Sequence, residues 1–206
     1  VRISATTAPR SPFAQHVLVG GNAYMLDILK TFGEERRVTA SSEQFEAKKG
    51  RTLDQLQNRA ATLAVEEAKL SGSHLTVTVA IQSLVGHKLP TGFPARRAWL
   101  HFTVQDASGG IVFESGAVKP DGSIVGNDND TDPTKYEPHY QVIASLDQVQ
   151  IYETILRDSD GSVTTVLLRG AGYVKDNRLL PSGFDKGTAS EDIAVHGQAM
   201  EDVDFG

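Results

Sequence analysis

The most informative feature of this sequence is an absence, because none of its 206 residues is a cysteine. Disulfide bonds, thiolate metal sites and covalent attachment of c-type haem through a Cys-x-x-Cys-His motif are therefore excluded within this chain. A nucleophilic cysteine is excluded for the same reason. Any thiol chemistry would have to be supplied by another chain or segment.

Long apolar runs and an excess of positive charge are also missing. No apolar run approaches the roughly 20 residues that a transmembrane helix needs, so we predict no membrane span. The 20 Lys and Arg residues stand against 26 Asp and Glu, which gives a net charge of −6, and the pI is near 5.5. Because a nucleic-acid-binding surface needs clustered Lys and Arg, nucleic acid is not an expected partner.

The motifs of common enzyme classes are absent as well. The six histidines are His16, His74, His87, His101, His139 and His196. None of them forms a His-x-x-x-His or His-Glu-x-x-His pair, no serine lies in a Gly-x-Ser-x-Gly turn, and no glycine pair belongs to a phosphate-binding fingerprint. An enzyme is therefore not supported. A hydrolase that uses paired carboxylates is the weakest alternative, since the sequence does not show which carboxylates share a cleft.

What is present is the composition of a loop-rich globular protein, with 39% hydrophobic residues, 19 glycines and 8 prolines. A chain of this length has room for one core and a helical appendage. We predict that residues 1–60 form an N-terminal arm and helices that dock on another element, and that residues 61–206 form a β domain with long loops. Because the chain begins with Val, we also expect a signal peptide or another region upstream.

Two helices are predicted near the N-terminus. Asn22 is a typical N-cap, the apolar residues after it recur every three or four positions, and Gly33 ends the pattern. Ser41 and Gln44 resemble a capping box, and the apolar stripe that follows predicts a helix over Ser42–Ala60.

Alternating apolar and polar residues predict β-strands in most of the remaining chain. The predicted strands cover residues 63–70, 75–81, 98–106, 111–113, 140–144, 149–155 and 163–168. Between them, residues 120–138 form a long irregular stretch. Short strands joined by turns, with no helices alternating between them, predict a mainly β fold: an antiparallel, immunoglobulin-like β-sandwich preceded by the N-terminal arm and two helices.

The loop before the predicted strand 98–106 is the first place where we expect function. Two prolines and two glycines over residues 86–94 predict a rigid, irregular loop, and it carries His87. Arg96 and Arg97 follow beside Trp99 and could clamp a carboxylate such as a haem propionate. The alternative is that these residues only pack and solvate a strand crossover.

Three histidines are candidate ligands to a metal or to haem iron. His16 precedes the apolar run 17–19, where a neutral imidazole could be an axial ligand, although a core histidine bonded to a backbone carbonyl is the alternative. His87 and His139 lie in predicted loops. Each of these two is a ligand, a hydrogen-bonding brace of its loop, or an exposed residue.

An acidic segment offers hard oxygen ligands at alternate positions. It contains Asn127, Asp128, Asp130 and Asp132, and oxygen atoms of these types are what Ca²⁺ prefers. The spacing departs from an EF-hand, because Pro133 occupies the place of the turn glycine. A calcium site is one hypothesis for this segment, and a solvated turn is the other.

Five segments together point to a family. They read HVLVGGNAYMLDIL, GHKLPTGFPARRAWLHFTVQDASGGIVFESG, VGNDNDTDPTKYEPHYQVI, QVQIYETILRD and YVKDNRLLPSGFDK. In combination they resemble the cysteine-free C-terminal portion of bacterial multihaem c-type cytochrome-like proteins, and the resemblance covers most of the chain.

The resemblance implies a role in electron transfer. In that family, Cys-x-x-Cys-His motifs lie upstream and bind haem, and the exported protein works in the periplasm or outside the cell. For this chain it implies a non-catalytic module that packs against haem c held by another chain or segment, with His16 as the position most like a distal ligand. The rival hypothesis is a calcium-stabilised module that binds glycan or protein through exposed aromatic residues at Phe93, Tyr136 and Tyr140. Oligomerisation stays open.

Overall fold

The computed structural model describes Thr6 and residues 18–92 and 96–206. The chain divides into two compact units, one that ends at Asn58 and one that spans Arg59–Gly206. His16 and Phe93, both singled out in the sequence, lie outside the described residues. Among the helices that are described, none combines the length and apolarity that a membrane crossing requires.

The first unit contains the two predicted helices, α1 (Ala23–Thr31) and α2 (Ser42–Asn58). The side chain of Asn22 accepts a hydrogen bond from the backbone of the first turn of α1 at 2.8 Å. Before α2, the backbone N–H of Ser41 donates to Oε1 of Gln44 at 2.9 Å, as a capping box requires. Both helix predictions are confirmed, and each helix begins at the residue that the capping signal indicates.

The second unit is built mainly from β-strands. Its strands are β1 (Ala61–Ser71), β2 (His74–Ser83), β3 (Ala98–Trp99), β4 (Phe102–Gln105), β5 (Ile111–Ser115), β6 (Ile151–Tyr152), β7 (Thr154–Arg157), β8 (Val163–Thr164) and β9 (Gly172–Asp176). They pair antiparallel in several small sheets, ordered β1-β2, β3-β6, β4-β5 and β8-β7-β9. The prediction of a mainly β fold with two helices is thereby confirmed.

Several strand boundaries differ from the prediction. The predicted strand 98–106 breaks at Leu100, whose N–H donates to the carbonyl of Gln150, so β3 pairs with β6 while β4 pairs with β5. The predicted strand 140–144 is wrong, because the backbone N–H groups of Tyr140 and Ala144 donate to glutamine side chains instead of to a neighbouring strand. Strand β9 was not predicted.

The hairpin β1-β2 has one face that is entirely apolar. The cross-strand pairs on this face are Leu63 with Ile81, Val65 with Val79, Ala68 with Val77, and Leu70 with Leu75. The pairing register shifts between Val65 and Glu67, and this bulge keeps both halves of β1 on the same face. We call these eight residues the apolar hairpin face. Leu63, Val65 and Leu70 on it are 66%, 61% and 70% exposed.

The core of the second unit contains polar as well as apolar side chains. Its main apolar cluster is Tyr152, Leu179, Val195, Ala199 and Phe205, and a smaller cluster is Ile124, Val149 and Ile151. Between these lie buried polar residues, among them His139, Gln150, Glu153, Lys175, Asp176 and Asn177. Burying a polar group costs free energy unless the group is hydrogen-bonded. Each of these side chains is therefore expected to have hydrogen-bond partners inside the unit.

Candidate functional site: the His87 loop, a buried polar network and the acidic loop

His87 presents an exposed imidazole of defined tautomer. Its Nδ1 lies 3.0 Å from the carbonyl oxygen of Lys88. Because a carbonyl oxygen only accepts, Nδ1 is the donor in this contact. Within the described part of the chain, no group is hydrogen-bonded to Nε2. With Nδ1 held in this way, Nε2 is the ring nitrogen that is left to bind a metal.

The backbone on the C-terminal side of His87 is firmly anchored. Leu89 and Leu179 exchange both backbone hydrogen bonds, at 2.9 and 2.8 Å. The ammonium group of Lys88 is buried, and it donates to Asp176 Oδ2 and to the carbonyl of Ala194, each at 2.8 Å. His87 is therefore an exposed residue on a loop whose next two residues are held by the core.

The anchor of Lys88 is a three-residue charge cluster. Arg178 donates to both carboxylate oxygens of Asp176, from Nε and Nη2, each at 2.8 Å. Burial would raise the pKa of Asp176, but the hydrogen bonds from Arg178 and Lys88 outweigh burial and hold that pKa below its ordinary value. Burial lowers the pKa of Lys88. The sequence prediction missed Asp176 and Arg178, because it did not include β9, the strand that ends at Asp176.

His139 is a structural residue of the core, with 6% of its surface exposed. Its Nε2 lies 2.9 Å from Asp202 Oδ2, and its Nδ1 receives hydrogen bonds from the side-chain amides of Gln150 at 2.9 Å and Asn177 at 3.0 Å. Burial lowers the pKa of His139, which keeps the ring neutral. Both ring nitrogens are engaged inside the protein, so this arrangement leaves no nitrogen of His139 for iron.

A buried ion pair lies next to His139. Lys175 is 1% exposed, and its Nζ donates to Glu153 Oε1 and to the carbonyl of Ile151, both at 2.9 Å. Burial lowers the pKa of Lys175. Because both side chains are buried, we assign this ion pair a structural role.

The two arginines of the loop have different partners. Arg97 forms a bidentate ion pair with Asp130, at 2.6 and 3.2 Å, and its side chain is therefore committed to the acidic loop. Arg96 donates from Nη1 to the carbonyl of Thr91 at 3.1 Å and lies over Gly92, whose φ of +94° only glycine adopts easily. The side chain of Arg96 is therefore hydrogen-bonded within the His87 loop. Its binding of a carboxylate ligand remains a prediction.

The residues predicted to bind calcium do not converge on one point. Asp130 pairs with Arg97 and also accepts from the backbone N–H of Ile124 at 2.8 Å, while Asp132 accepts from the backbone and hydroxyl of Thr134 at 3.0 and 2.6 Å. Over residues 18–92 and 96–206, no three His, Asp or Glu side chains are grouped so that they could hold a metal ion. Calcium stays a prediction.

Asn127, Asp128 and Asp130 line a polar pocket of about 470 Å³, together with Glu137 and Tyr140. The phenol of Tyr140 donates to Glu137 Oε2 at 2.6 Å. The rings of Tyr136 and Tyr140, expected to be exposed recognition residues, are half-buried instead. The sequence prediction missed Glu137, which carried no motif signal.

Comparisons with protein-family models, with curated proteins and with solved structures found no match. Function is therefore inferred from the geometry of the His87 loop, the buried network and the acidic loop.

Proposed function

We propose that this chain is a non-catalytic β-sandwich module of an extracytoplasmic, multihaem cytochrome-type electron-transfer protein. In this proposal the module works in the periplasm or outside the cell and packs against a haem-bearing segment or subunit. Haem supplies the redox chemistry, and because this chain has no cysteine, the covalent attachment of haem c belongs to the partner.

The single observation that carries the proposal is the geometry of His87. An axial ligand of haem iron is a neutral imidazole, and a second-shell carbonyl commonly holds its other nitrogen. His87 has the second-shell carbonyl, since its Nδ1 is bonded to the carbonyl of Lys88, and its Nε2 is open on an exposed ring. Of the three candidate histidines, His87 is therefore our choice as the residue that faces haem.

The anchored backbone beside His87 supports the same role. A ligand that must meet an iron atom in another chain loses less conformational entropy when its backbone is already fixed. The anchors at Lys88 and Leu89 fix the backbone immediately after His87. The carboxylate of Asp176 stabilises the ammonium group of Lys88, so the ion pair maintains the loop without touching the ligand.

The apolar hairpin face supports the packing part of the proposal. A two-stranded hairpin whose apolar face is exposed along β1 is only marginally stable in water by itself, which is typical of a surface that a partner covers. Strand β2 ends at Ser83, and His87 follows four residues later. A partner that reaches His87 is thus close to the base of the hairpin, and it can bury Leu63 and Leu84, which are 66% and 50% exposed.

The test is the absorption spectrum of the native protein in which this chain occurs, purified from its source. The proposal predicts a Soret band and haem that stays with the polypeptide under denaturing conditions. The matched control is this chain produced alone, which is expected to carry no covalent haem. A native protein without Soret absorbance, from a reading frame without Cys-x-x-Cys-His motifs, would overturn the proposal.

A further inference from the structure

Strand β1 is a long edge strand of the second unit. Among the described residues it pairs with β2 alone, and every residue of β1 after Ala61 is exposed. In β2, by contrast, residues 77 and 79–81 are partly covered, and Ile81 packs against the main apolar cluster. Of the two strands of the hairpin, β1 is therefore the one with less cover from the rest of the unit.

The turn of the hairpin shows which backbone groups of β1 point outward. A two-residue turn joins the strands, and Ser71 and His74 close it as a hydrogen-bonded pair. Because the direction of the backbone groups alternates along an antiparallel strand, Lys69 also bonds to β2, whereas Ala68 and Leu70 direct their N–H and C=O groups away from it. These outward groups have no backbone partner among the described residues. They are a template on which another strand can pair.

Two opposite charges flank Ala68. Glu67 lies opposite Thr78 of β2 and Lys69 lies opposite Thr76, so both charged side chains are on the polar face of the hairpin. Both are exposed, and neither has an ion-pair partner in the part of the chain that the structure describes. The segment Glu67-Ala68-Lys69 is thus complementary to an antiparallel copy of itself.

A two-fold axis at Ala68 satisfies the backbone and the charges together. The two copies of Ala68 exchange their outward N–H and C=O groups as a hydrogen-bonded pair. Glu67 of each copy then lies directly opposite Lys69 of the other, at the non-hydrogen-bonded positions where cross-strand side chains are closest. An axis one residue away, at Glu67 or at Lys69, would place like charges opposite each other. Two independent observations therefore select one register.

We propose that two copies of this chain associate through their β1 edges, in an antiparallel pair centred on Ala68. The result is a four-stranded sheet of order β2-β1-β1-β2, with both apolar hairpin faces on the same side. The bulge between Val65 and Glu67 limits the regular ladder to a few residues on each side of the axis, so we expect a dimer that dissociates on dilution. The proposal does not depend on the electron-transfer role.

The first test is sedimentation velocity of the full 206-residue chain over a range of concentrations. We expect a reversible dimer for the parent chain. E67K and K69E are each expected to weaken dimerisation about tenfold, because each replaces two attractive cross-strand pairs by repulsive ones. The swap E67K/K69E restores both pairs and is expected to restore the dimer. E201K, at an exposed site outside the hairpin, is the matched control and is expected to dimerise like the parent.

The charge variants separate a local effect from an effect of net charge. E67K and K69E change the net charge of the chain in opposite directions, so an effect of net charge alone would strengthen one dimer and weaken the other. Both side chains are exposed, and the unfolding midpoint is therefore expected to change little in either variant.

The second test uses the absence of cysteine from the chain. In the proposed pair the Cα atoms of the two Ala68 residues are about 5.5 Å apart, which suits a disulfide. A68C is therefore expected to form a covalent dimer on mild oxidation. S73C, in the exposed turn, is the control, because its two copies would be about 30 Å apart in the same arrangement.

Three results would overturn the proposal. The first is a parent chain that stays monomeric at every concentration, which would leave the β1 edge to a strand of another protein. The second is a swap variant E67K/K69E that dimerises no better than the single variants. The third is oxidation that links A68C no faster than S73C.

Discussion

Asn177 fixes the tautomer of His139. The oxygen of its side chain accepts from the backbone N–H of Glu153 at 3.0 Å, so its Nδ2 is the atom that faces the ring and donates to His139 Nδ1 at 3.0 Å. Nδ1 is consequently an acceptor, and Nε2 carries the proton toward Asp202. Protonation of the ring would place a hydrogen on Nδ1, where it would face the N–H donors of Gln150 and Asn177 instead of an acceptor.

This relationship predicts a pH dependence of stability. Burial lowers the pKa of His139 below the 6.5 of an exposed histidine, so the unfolded chain binds a proton at a higher pH than the folded chain does. The contribution of His139 to stability is therefore fully present above about pH 6.5, and it is lost as the pH falls toward the folded pKa. Urea unfolding at pH 7.5 and 5.5 measures it.

The variant H139Q isolates this contribution. We expect a smaller fall in the free energy of unfolding between pH 7.5 and 5.5 for H139Q than for the parent chain. H74Q, at the exposed start of β2, is expected to keep the parent's pH dependence. Equal falls in the parent and in H139Q would contradict the assignment of a buried neutral ring.

The two helices and the first hairpin were predictable because their signals are local. Capping by Asn22 and Ser41 acts within one turn of a helix, and the alternation in β1 and β2 acts between neighbours in sequence. In contrast, Gln148 and Gln150 occupy the N–H groups of the predicted strand 140–144 through side-chain hydrogen bonds, and no periodic pattern reports such bonds.

The candidate site was predictable only in part. The irregular backbone around His87 follows from the glycines and prolines of its loop. Its anchor does not, because Lys88 and Asp176 are 88 positions apart in the sequence. The hydrogen bonding of His139 depends in the same way on Asp202, 63 positions away. The residue types alone could not distinguish a core histidine from an exposed ligand.

Loss of the buried Lys175 ammonium is predicted to be strongly destabilising. K175M leaves the carboxylate of Glu153 buried without its counter-charge, which typically costs about 3–5 kcal/mol. Urea unfolding at pH 7 measures the loss, and K69M on the exposed polar face of β1 is the control, with an expected change below about 0.5 kcal/mol. Similar changes in both variants would show that the buried pair is not a structural element.

Gly116 and Gly109 provide a matched pair for backbone strain. Both have positive φ, +76° and +84°, but a Cβ at Gly116 would lie 2.2 Å from the carbonyl oxygen of Leu100, while Gly109 has open space. G109A is expected to cost about 1 kcal/mol from φ alone, and G116A about 1–3 kcal/mol more from the clash. Equal midpoints of thermal unfolding for G109A and G116A would contradict the close approach of Gly116 to Leu100.

The apolar hairpin face is predicted to act in association rather than in folding. Replacing Leu63 and Leu70 by Ser removes apolar surface that is already exposed, so the unfolding midpoint of this chain is expected to change little. Co-purification with the haem-bearing partner is expected to fall at least tenfold. The control replaces Thr62 and Thr76 by Ser on the opposite face, and equal losses of partner in both variants would count against the docking role.

The most direct measurement of the central claim is the haem spin state of the native protein by electron paramagnetic resonance, for the parent, H87A and H74A. If His87 is an axial ligand, H87A converts one low-spin, two-histidine haem to a high-spin form, and H74A leaves the spectrum of the parent unchanged. A spectrum of H87A identical to that of the parent, from protein of parental stability, would contradict the account.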